Sequence, residues 1–209
     1  MKKFGIFFIV AIIAVLALLA WGKNKYNTMV NMDEKVNTAW SQVENQYQRR
    51  LDLIPNLVNT VKAYAAHERA TLEGVINARA NAAKTTIQAD ELNAASMQQF
   101  QAAQGELSSA LSRLMVVVER YPDLKANENF RELQVQLEGT ENRIAVERMR
   151  FNETAQAYNT YIRTFPNNVV AGFLGFEQRP YFAAREGADR APVVDFGDAG
   201  QPEAAPGAN

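Results

Sequence analysis

The sequence has no cysteine and a single histidine among its 209 residues. Disulfides, thiolate catalysis and Cys-based zinc or iron–sulfur sites are therefore excluded. The lone histidine, His67, has no second histidine with which to complete a metal site, so we expect an ordinary surface residue there. Gly-rich phosphate loops, Gly-x-Ser-x-Gly elbows and His-Glu-x-x-His motifs are also missing from the sequence. We therefore predict a protein that is not an enzyme and that uses neither a cofactor nor a metal.

Helix-breaking residues and excess positive charge are also scarce. The chain has 7 Pro and 11 Gly, while Ala, Gln, Asn, Glu and Arg dominate its middle, which is a helix-forming composition. Four of the 22 Lys and Arg residues lie in the first 25 positions, which leaves 18 basic against 23 acidic residues in 26–209. A nucleic-acid binder needs the opposite sign concentrated on one face. The composition predicts an all-α protein that does not bind nucleic acid.

One long hydrophobic run is present, at residues 4–21. It carries no charge, and as a helix it would span about 27 Å, close to the ~30 Å hydrocarbon core of a bilayer. Lysines flank both of its ends, and the aromatic residues Trp21 and Tyr26 stand where interfacial aromatics are expected. We predict a transmembrane anchor in contact with membrane lipid, preceded by a short N-terminus of residues 1–3.

The same run has a competing interpretation as a cleaved signal peptide, because Val15-Leu16-Ala17 is an acceptable small-residue cleavage site. The apolar run continues past that site, which favours an uncleaved anchor. The flanking lysines nearly balance, so they do not fix the orientation. The start resembles a secretory signal-anchor, which favours a single-pass protein of the bacterial cytoplasmic (inner) membrane with its bulk in the periplasm.

Residues 28–166 contain four patterns of apolar residues at helical spacing, which predict an elongated up-and-down four-helix bundle. The first pattern meets Pro55, and we favour a tight corner at residues 50–52 over a kink in a continuing helix. The second pattern ends near Lys84. The third begins at a capping box formed by Ser96 and Gln99 and stops before a proline.

The fourth pattern is the most regular, because its apolar residues recur every seven positions. Asn129 and Glu132 are placed to cap its start. A sustained heptad row predicts shallow crossing angles and coiled-coil-like packing. We expect the aromatic members of this row to lie in the bundle core, and the row consists of Phe130, Leu137, Ile144, Phe151, Tyr158 and Phe165.

Two charged residues interrupt the adjoining apolar row of the fourth helix, namely Glu141 and Arg148. Buried charges are costly unless they are paired and hydrogen-bonded, so these residues are candidates for a buried polar layer that fixes register. The alternative is that the apolar stripe rotates and both side chains are solvated. Candidate partners on the first helix are Glu44, Asn45, Arg49 and Arg50.

The helical pattern is lost in residues 167–197, which contain several Gly and Pro residues but remain rich in aromatics. We predict an irregular tail that packs on the end of its own bundle, or else contacts a neighbouring subunit, a partner or the membrane surface. Residues 198–209 are small and polar and are predicted to be disordered. The candidate interaction residues of the tail are Phe173, Phe176, Tyr181, Phe182 and Phe196.

Three blocks of the sequence resemble the signature blocks of the bacterial LemA family, in the same order. They are AWSQVENQYQRRLDLIPNLVNTVKAYAAHE, YPDLKANENFRELQVQLEGTENRIAVERMRFNE and YNTYIRTFPNNVVAGFLGFEQRPYF. The resemblance implies one membrane helix followed by a four-helix bundle. It implies no enzymatic activity, and it places the short N-terminus outside the cell, opposite to the orientation that the residues favour.

The expected function is that of a membrane-anchored interaction protein that self-associates as a scaffold or membrane-organising module. Anchoring would confine its encounters to a plane, and long helix faces would allow multivalent packing. The alternative is an accessory or regulatory subunit of another envelope membrane protein, such as a membrane protease. The sequence thus predicts a homo-oligomer and leaves other envelope partners open.

Overall fold

The computed structural model describes the backbone of residues 2–183 and, within that range, all side chains except those of residues 2–5, 7 and 90. This part of the chain is built from helices and contains no strand, so the predicted all-α class is confirmed. Phe196 and the predicted disordered end lie outside the described residues. The helices are α1 (Lys2–Tyr64), α2 (Arg69–Lys84), α3 (Ala94–Val118), α4 (Pro122–Ala126), α5 (Glu128–Arg163) and α6 (Asn167–Leu174), with a 3-10 turn at Ala89–Glu91.

The first helix is continuous over 63 residues and passes through Pro55, so the predicted corner at residues 50–52 is wrong. The chain instead leaves the helix after Tyr64 and reverses direction before α2 begins at Arg69. At ~1.5 Å per residue, α1 is about 95 Å long. The apolar segment and the first helix of the bundle therefore form one rod.

A contact from another helix explains why Pro55 does not end α1. Proline has no N–H, so it cannot donate to the carbonyl four residues earlier, at Leu51. That carbonyl accepts a hydrogen bond from Arg79 Nε on α2 at 2.8 Å. Asp52, at the end of the predicted corner, accepts a hydrogen bond from Gln48 Nε2 one turn before it, at 2.8 Å. The helix thus continues because a side chain 28 positions away replaces the missing donor.

The caps of two later helices also differ from the prediction. Asn93, rather than Ser96, is the N-cap of α3, and Ser96 closes the capping box as its third helical residue. Asn127 caps α5 through a hydrogen bond that its side chain accepts from the backbone N–H of Phe130. Asparagine suits both places because its side-chain oxygen reaches backbone N–H groups two or three residues on. Sequence spacing predicted the presence of both helix starts, with shifts of two or three residues.

The four long helices run alternately away from and towards the N-terminal apolar segment. Helix α1 packs along α5, and α2 packs along α3. Their buried residues form two clusters, one near the apolar segment and one at the far end. The near cluster contains Met29, Val36, Trp40, Phe100, Phe151 and Tyr158 among others, and the far cluster contains Ile54, Val61, Val75, Leu107, Leu114 and Phe130 among others.

The end of α5 and the start of the tail depart from the predicted pattern. The heptad row is buried from Phe130 to Tyr158, but Phe165 is 78% exposed because α5 ends at Arg163. The tail is not irregular at its start, since α6 forms there and ends at Gly175, whose φ of +76° is the left-handed conformation that favours glycine. The remaining described tail, 176–183, has no regular secondary structure.

The large apolar side chains described in the N-terminal part of α1 are exposed. None of its most apolar 18-residue window is buried, and the helix is long and apolar enough to cross a membrane. Ile13, Leu16 and Leu19 point in different directions around the helix, yet each is 60% or more exposed. A solvent-exposed apolar rod of this length is unfavourable in water, which is consistent with the predicted membrane helix.

Candidate functional site: a groove between α3 and α5

An open groove separates α3 from α5 on one side of the bundle. Two adjoining cavities of about 1160 and 730 Å³ make up the groove, and they share Ser108, Glu141 and Arg148 on their walls. Its apolar side chains include Leu111 at the far end and Met149 at the end nearer the anchor, whereas amides, hydroxyls and charges line its middle. We call this feature the α3–α5 groove. Its size and mixed lining are those of a binding site for a peptide segment or a helix.

The floor of the groove is Arg50, which comes from α1 and is 1% exposed. Its Nη1 donates to Glu141 Oε1 at 2.6 Å and to Ser108 Oγ at 3.1 Å. Its Nη2 donates to the side-chain oxygen of Gln104, and its guanidinium lies 5.1 Å from the Tyr47 ring centroid. A buried cation thus ties α1 to both walls of the groove.

The Arg50–Glu141 pair lies where the two core clusters meet. Tyr47 belongs to the near cluster and Leu51 to the far one, so Arg50 stands between them on α1. The Glu141 side chain is 37% exposed to the groove, whereas that of Arg50 is 2% exposed. Because the cation is buried and its counter-ion is not, water or a ligand in the groove can reach the carboxylate but not the guanidinium.

Arg148 does not join this pair, although the sequence placed it in the same layer as Glu141. Its Nη2 donates to the carbonyl of Ala183 at 3.0 Å, and its guanidinium lies 4.6 Å from the Phe182 ring centroid. Arg148 is half-buried and holds the tail against the groove. Glu141 finds its partner in Arg50, one of the four candidates on the first helix, so the two predicted residues have separate tasks.

Two asparagines on α5 bind the backbone of the tail. Asn159 accepts from the N–H of Arg179 and donates to its carbonyl, both at 2.8 Å, and Asn152 does the same for Phe182 at 2.9 and 3.2 Å. Seven helical residues rise about 10.5 Å, and three extended residues cover about 10 Å. The two spacings match, so the tail runs extended and antiparallel along α5 towards the groove.

An ion pair fixes the beginning of this extended segment. Arg179 donates through Nε and Nη2 to both carboxylate oxygens of Asp33 on α1, at 2.8 and 2.9 Å, and its Nη1 donates to the carbonyl of Ala89 at 3.1 Å. Planar two-bond pairing of this kind is among the stronger charge-assisted contacts. Three separate parts of the chain therefore meet at Arg179, a residue that the sequence analysis did not single out.

The aromatic residues predicted as an interaction tail have different environments. Phe182 is buried and stacks on Trp40, with ring centroids 5.9 Å apart, and Phe176 meets Tyr26 edge-on at 5.8 Å. Tyr181 and Phe173 are exposed, Phe173 by 89%. Part of the tail thus packs on its own bundle, and part of it does not.

Burial shifts the ionisation of three groups near the groove and the tail. Burial raises the pKa of Tyr158 to about 12, with a contribution from the Asp33 carboxylate. Burial also raises the pKa of Tyr47. It raises the pKa of Glu44 as well, and a hydrogen bond between Glu44 and Trp40 offsets only part of that rise. Both tyrosines stay protonated at neutral pH, so neither is prepared to act as a base.

The hydroxyl groups in the groove are occupied by local hydrogen bonds. Ser108 donates to the carbonyl of Gln104 at 3.1 Å and Ser112 donates to that of Ser108 at 2.9 Å. His67 is exposed at the far turn between α1 and α2, away from the groove. Within the part of the chain that is described, no group of three or more His, Asp or Glu side chains is placed to hold a metal ion. The groove offers hydrogen bonds, the carboxylates of Glu138 and Glu141, the Arg148 guanidinium and apolar surface for binding.

Comparison with known proteins gives one family and several relatives. The LemA family model matches residues 39–196. Magnetosome proteins MamQ 1 and MamQ 2 of Paramagnetospirillum magneticum are each 28% identical, over 89% of this chain and 74% of their own length. Magnetosome protein MamQ of Magnetospirillum gryphiswaldense is 26% identical, over 88% of this chain and 74% of its own. The family match includes both walls of the groove and the tail, and the chain belongs to the LemA family.

Proposed function

We propose that this protein is a non-enzymatic, single-pass protein of the cytoplasmic membrane that self-associates as a scaffold through the α3–α5 groove. The observation that carries the proposal is the open groove between α3 and α5, whose floor residue Arg50 lies on the helix that is continuous with the anchor. The relatives support it loosely, because their names as magnetosome proteins state no reaction. As in the sequence analysis, we place the bulk of the chain in the periplasm.

The continuous α1 helix gives self-association a geometric basis. Because α5 runs antiparallel to α1 and Arg50 meets Glu141, the groove lies beside residues on α1 that are about 25–55 Å beyond Trp21. Copies anchored in one membrane carry the groove at the same height. A rotation axis along the membrane normal relates these copies to one another. The grooves of neighbouring copies can therefore meet without a tilt of either anchor helix. Exposed apolar residues on α5 beside the groove, such as Val146 and Met149, supply surface for such contacts.

The test is the native mass of the full-length chain in detergent, measured by light scattering that corrects for bound detergent. We expect an oligomer for the natural chain and a smaller species for Met149→Glu, because a charge on the apolar wall opposes burial of the groove. Ile76→Glu is the matched control, since Ile76 is 50% exposed and Met149 56%, and Ile76 lies on α2. A monomeric natural chain, or equal masses for the two variants, contradicts self-association through this groove.

A second candidate, an accessory subunit of another envelope membrane protein such as a protease, is favoured by the mode in which the tail binds. Asn152 and Asn159 hold an extended backbone along α5, so this face already accepts a peptide in extended form. A pull-down of the full-length chain from detergent distinguishes the candidates. The second function is supported if a different protein is captured in stoichiometric amount, if Met149→Glu abolishes its capture, and if the natural chain itself is a monomer. That result also excludes the first function.

A further inference from the structure

The end of the bundle nearest the anchor carries large apolar side chains that the protein does not cover. Phe165 is 78% exposed, Val169 63% and Phe173 89%. They lie on the turn after α5 and on α6, whose opposite side is buried through Asn167 and Ala171. We call these three residues the basal surface. Three such residues within nine positions form an apolar patch of the kind that marks an interaction site.

The register between α5 and α1 sets the height of the basal surface. Lys25 Nζ on α1 lies 5.6 Å from the centroid of the Tyr161 ring on α5. Helix α5 ends at Arg163, two residues closer to the membrane than Tyr161, so the turn that carries Phe165 begins within about one helical turn of Trp21. Trp21 ends the apolar run and marks the boundary of the hydrocarbon region. The basal surface therefore lies at the depth of the lipid headgroups.

A second contact keeps α6 at this height. Phe176, two residues after α6, meets Tyr26 on α1 with ring centroids 5.8 Å apart. Tyr26 is five residues beyond Trp21, or about 7 Å along the helix axis. Helix α6 is thus held close to the anchor by its own buried side, and its exposed apolar side faces away from the bundle.

The charges around the basal surface complement a phospholipid membrane. Lys23 and Arg163 are exposed, and Lys25 is half-buried at the same end. Glu177 is an exposed acidic residue of this region, and Asp33 is already paired with Arg179. The basic side chains outnumber the unpaired carboxylate, and anionic headgroups attract such a collar.

We propose that the basal surface inserts into the headgroup region of the bilayer that holds the anchor, so that the bundle stands on the membrane at two points. This proposal rests on the anchoring proposed above. The occupant is lipid, because the patch is level with the end of the anchor, aromatic-rich and ringed by basic residues, as interfacial elements are. A single membrane-spanning helix does not fix the tilt of the bundle relative to the membrane. The anchor and the basal surface together would fix it.

The absence of cysteine allows a direct test, because one introduced cysteine gives one spin label. The labels are placed by Val169→Cys on the basal surface, Ile13→Cys in the anchor and Val135→Cys near the far end of α5. Val135 is the matched control, since it is 67% exposed and Val169 63%. The labelled full-length chains are reconstituted into vesicles of phosphatidylcholine and phosphatidylglycerol, and the accessibility of each label to oxygen and to a nickel chelate is measured.

We expect a several-fold higher oxygen-to-nickel ratio at position 169 than at position 135, because oxygen concentrates in lipid and the chelate stays in water. A ratio at position 169 equal to that at 135, with the label at 13 in hydrocarbon, overturns the basal contact and leaves the anchor intact. A water-exposed label at position 13 removes the anchor itself, and the proposed function with it. Protection of position 169 from both reagents, with dipolar broadening, identifies a second copy of the chain as the occupant and also overturns the proposal. Phe173→Cys provides a second label on the same surface.

Discussion

Replacing Arg79 by alanine tests whether a side chain on α2 keeps α1 continuous. The Arg79 guanidinium donates to the Leu51 carbonyl that Pro55 leaves without a donor. Leu51 is buried, so the substitution leaves a buried acceptor unpaired, which costs about 1–3 kcal/mol. Arg79 itself is half-buried and water can partly replace it, so we expect a loss of about 1–2 kcal/mol in the free energy of unfolding.

A double-mutant cycle with Pro55→Ala isolates this contact. Alanine at position 55 restores the N–H that donates to Leu51 within the helix. Arg79→Ala should then cost less than about 0.5 kcal/mol in that background, which gives a coupling of about 0.5–2 kcal/mol. Pro55→Ala alone should stabilise the chain by less than the ~3 kcal/mol typical of an interior proline, because the carbonyl already has a partner.

The measurement is guanidinium-induced unfolding of the full-length chain in detergent, followed by circular dichroism. Arg69→Ala is the control, because Arg69 is an exposed arginine on the same helix, and it should change the free energy of unfolding by no more than about 0.5 kcal/mol. Strictly additive effects of Arg79→Ala and Pro55→Ala would refute the account of why α1 is continuous.

Three further predictions concern the groove, the tail and pH. Glu141→Ala should cost about 2–4 kcal/mol in unfolding free energy, because it leaves the buried Arg50 cation without its counter-ion. The control is Glu138→Ala, since Glu138 is an exposed neighbour on the same wall, and it should cost under about 0.5 kcal/mol. Equal losses for the two variants would count against a stabilising Arg50–Glu141 pair. Asn152→Ala removes both bonds to the Phe182 backbone and should speed amide exchange there, and unchanged exchange would show that Asn152 does not hold the tail. Burial raises the pKa of Glu44 above that of a free glutamate, so the folded state binds the proton more tightly than the unfolded state. Stability therefore falls as the pH rises from the unfolded-state pKa through the folded-state pKa. Glu44→Gln should therefore raise Tm at pH 7 and lose this advantage below the ordinary pKa of a glutamate, and an advantage that grows on acidification would contradict this sign.

Sequence periodicity predicted the helices well where the signal is local. The α5 row from Phe130 to Tyr158 is buried as expected, because a heptad pattern over several turns leaves one face for the core. It failed at Phe165, since a two-residue difference in where the helix ends moves the next row member out of the core. Both termini of a helix depend on local capping contacts. At the start of α5 the cap is Asn127, and several nearby residues could have capped it equally well, so the sequence leaves a terminus uncertain by a few residues.

Features that depend on distant parts of the chain were not predictable in this way. The continuity of α1 past Pro55 depends on Arg79, which is 24 positions later in the sequence and meets it only after the chain has reversed. The binding of the tail to α5 depends on Asn152 and Asn159, which lie on one face of α5 because they are seven residues apart. Nothing in the sequence around them shows that they bind the backbone of the tail rather than water. Their heptad spacing was the available signal.

The position of Arg50 connects the stability of the bundle with occupancy of its groove. The guanidinium is buried between two apolar clusters and is compensated by Glu141, which the groove exposes. A partner that covers the groove removes water from that carboxylate and strengthens its attraction to Arg50, since the same pair interacts more strongly at lower dielectric. A partner that presents its own carboxylate there meets the like charge of Glu141, because the Arg50 guanidinium is buried beneath it. At Glu141 the groove therefore opposes an acidic side chain, whereas Arg148, which lines the same two cavities, attracts one, so the position of a charge along the groove decides its effect.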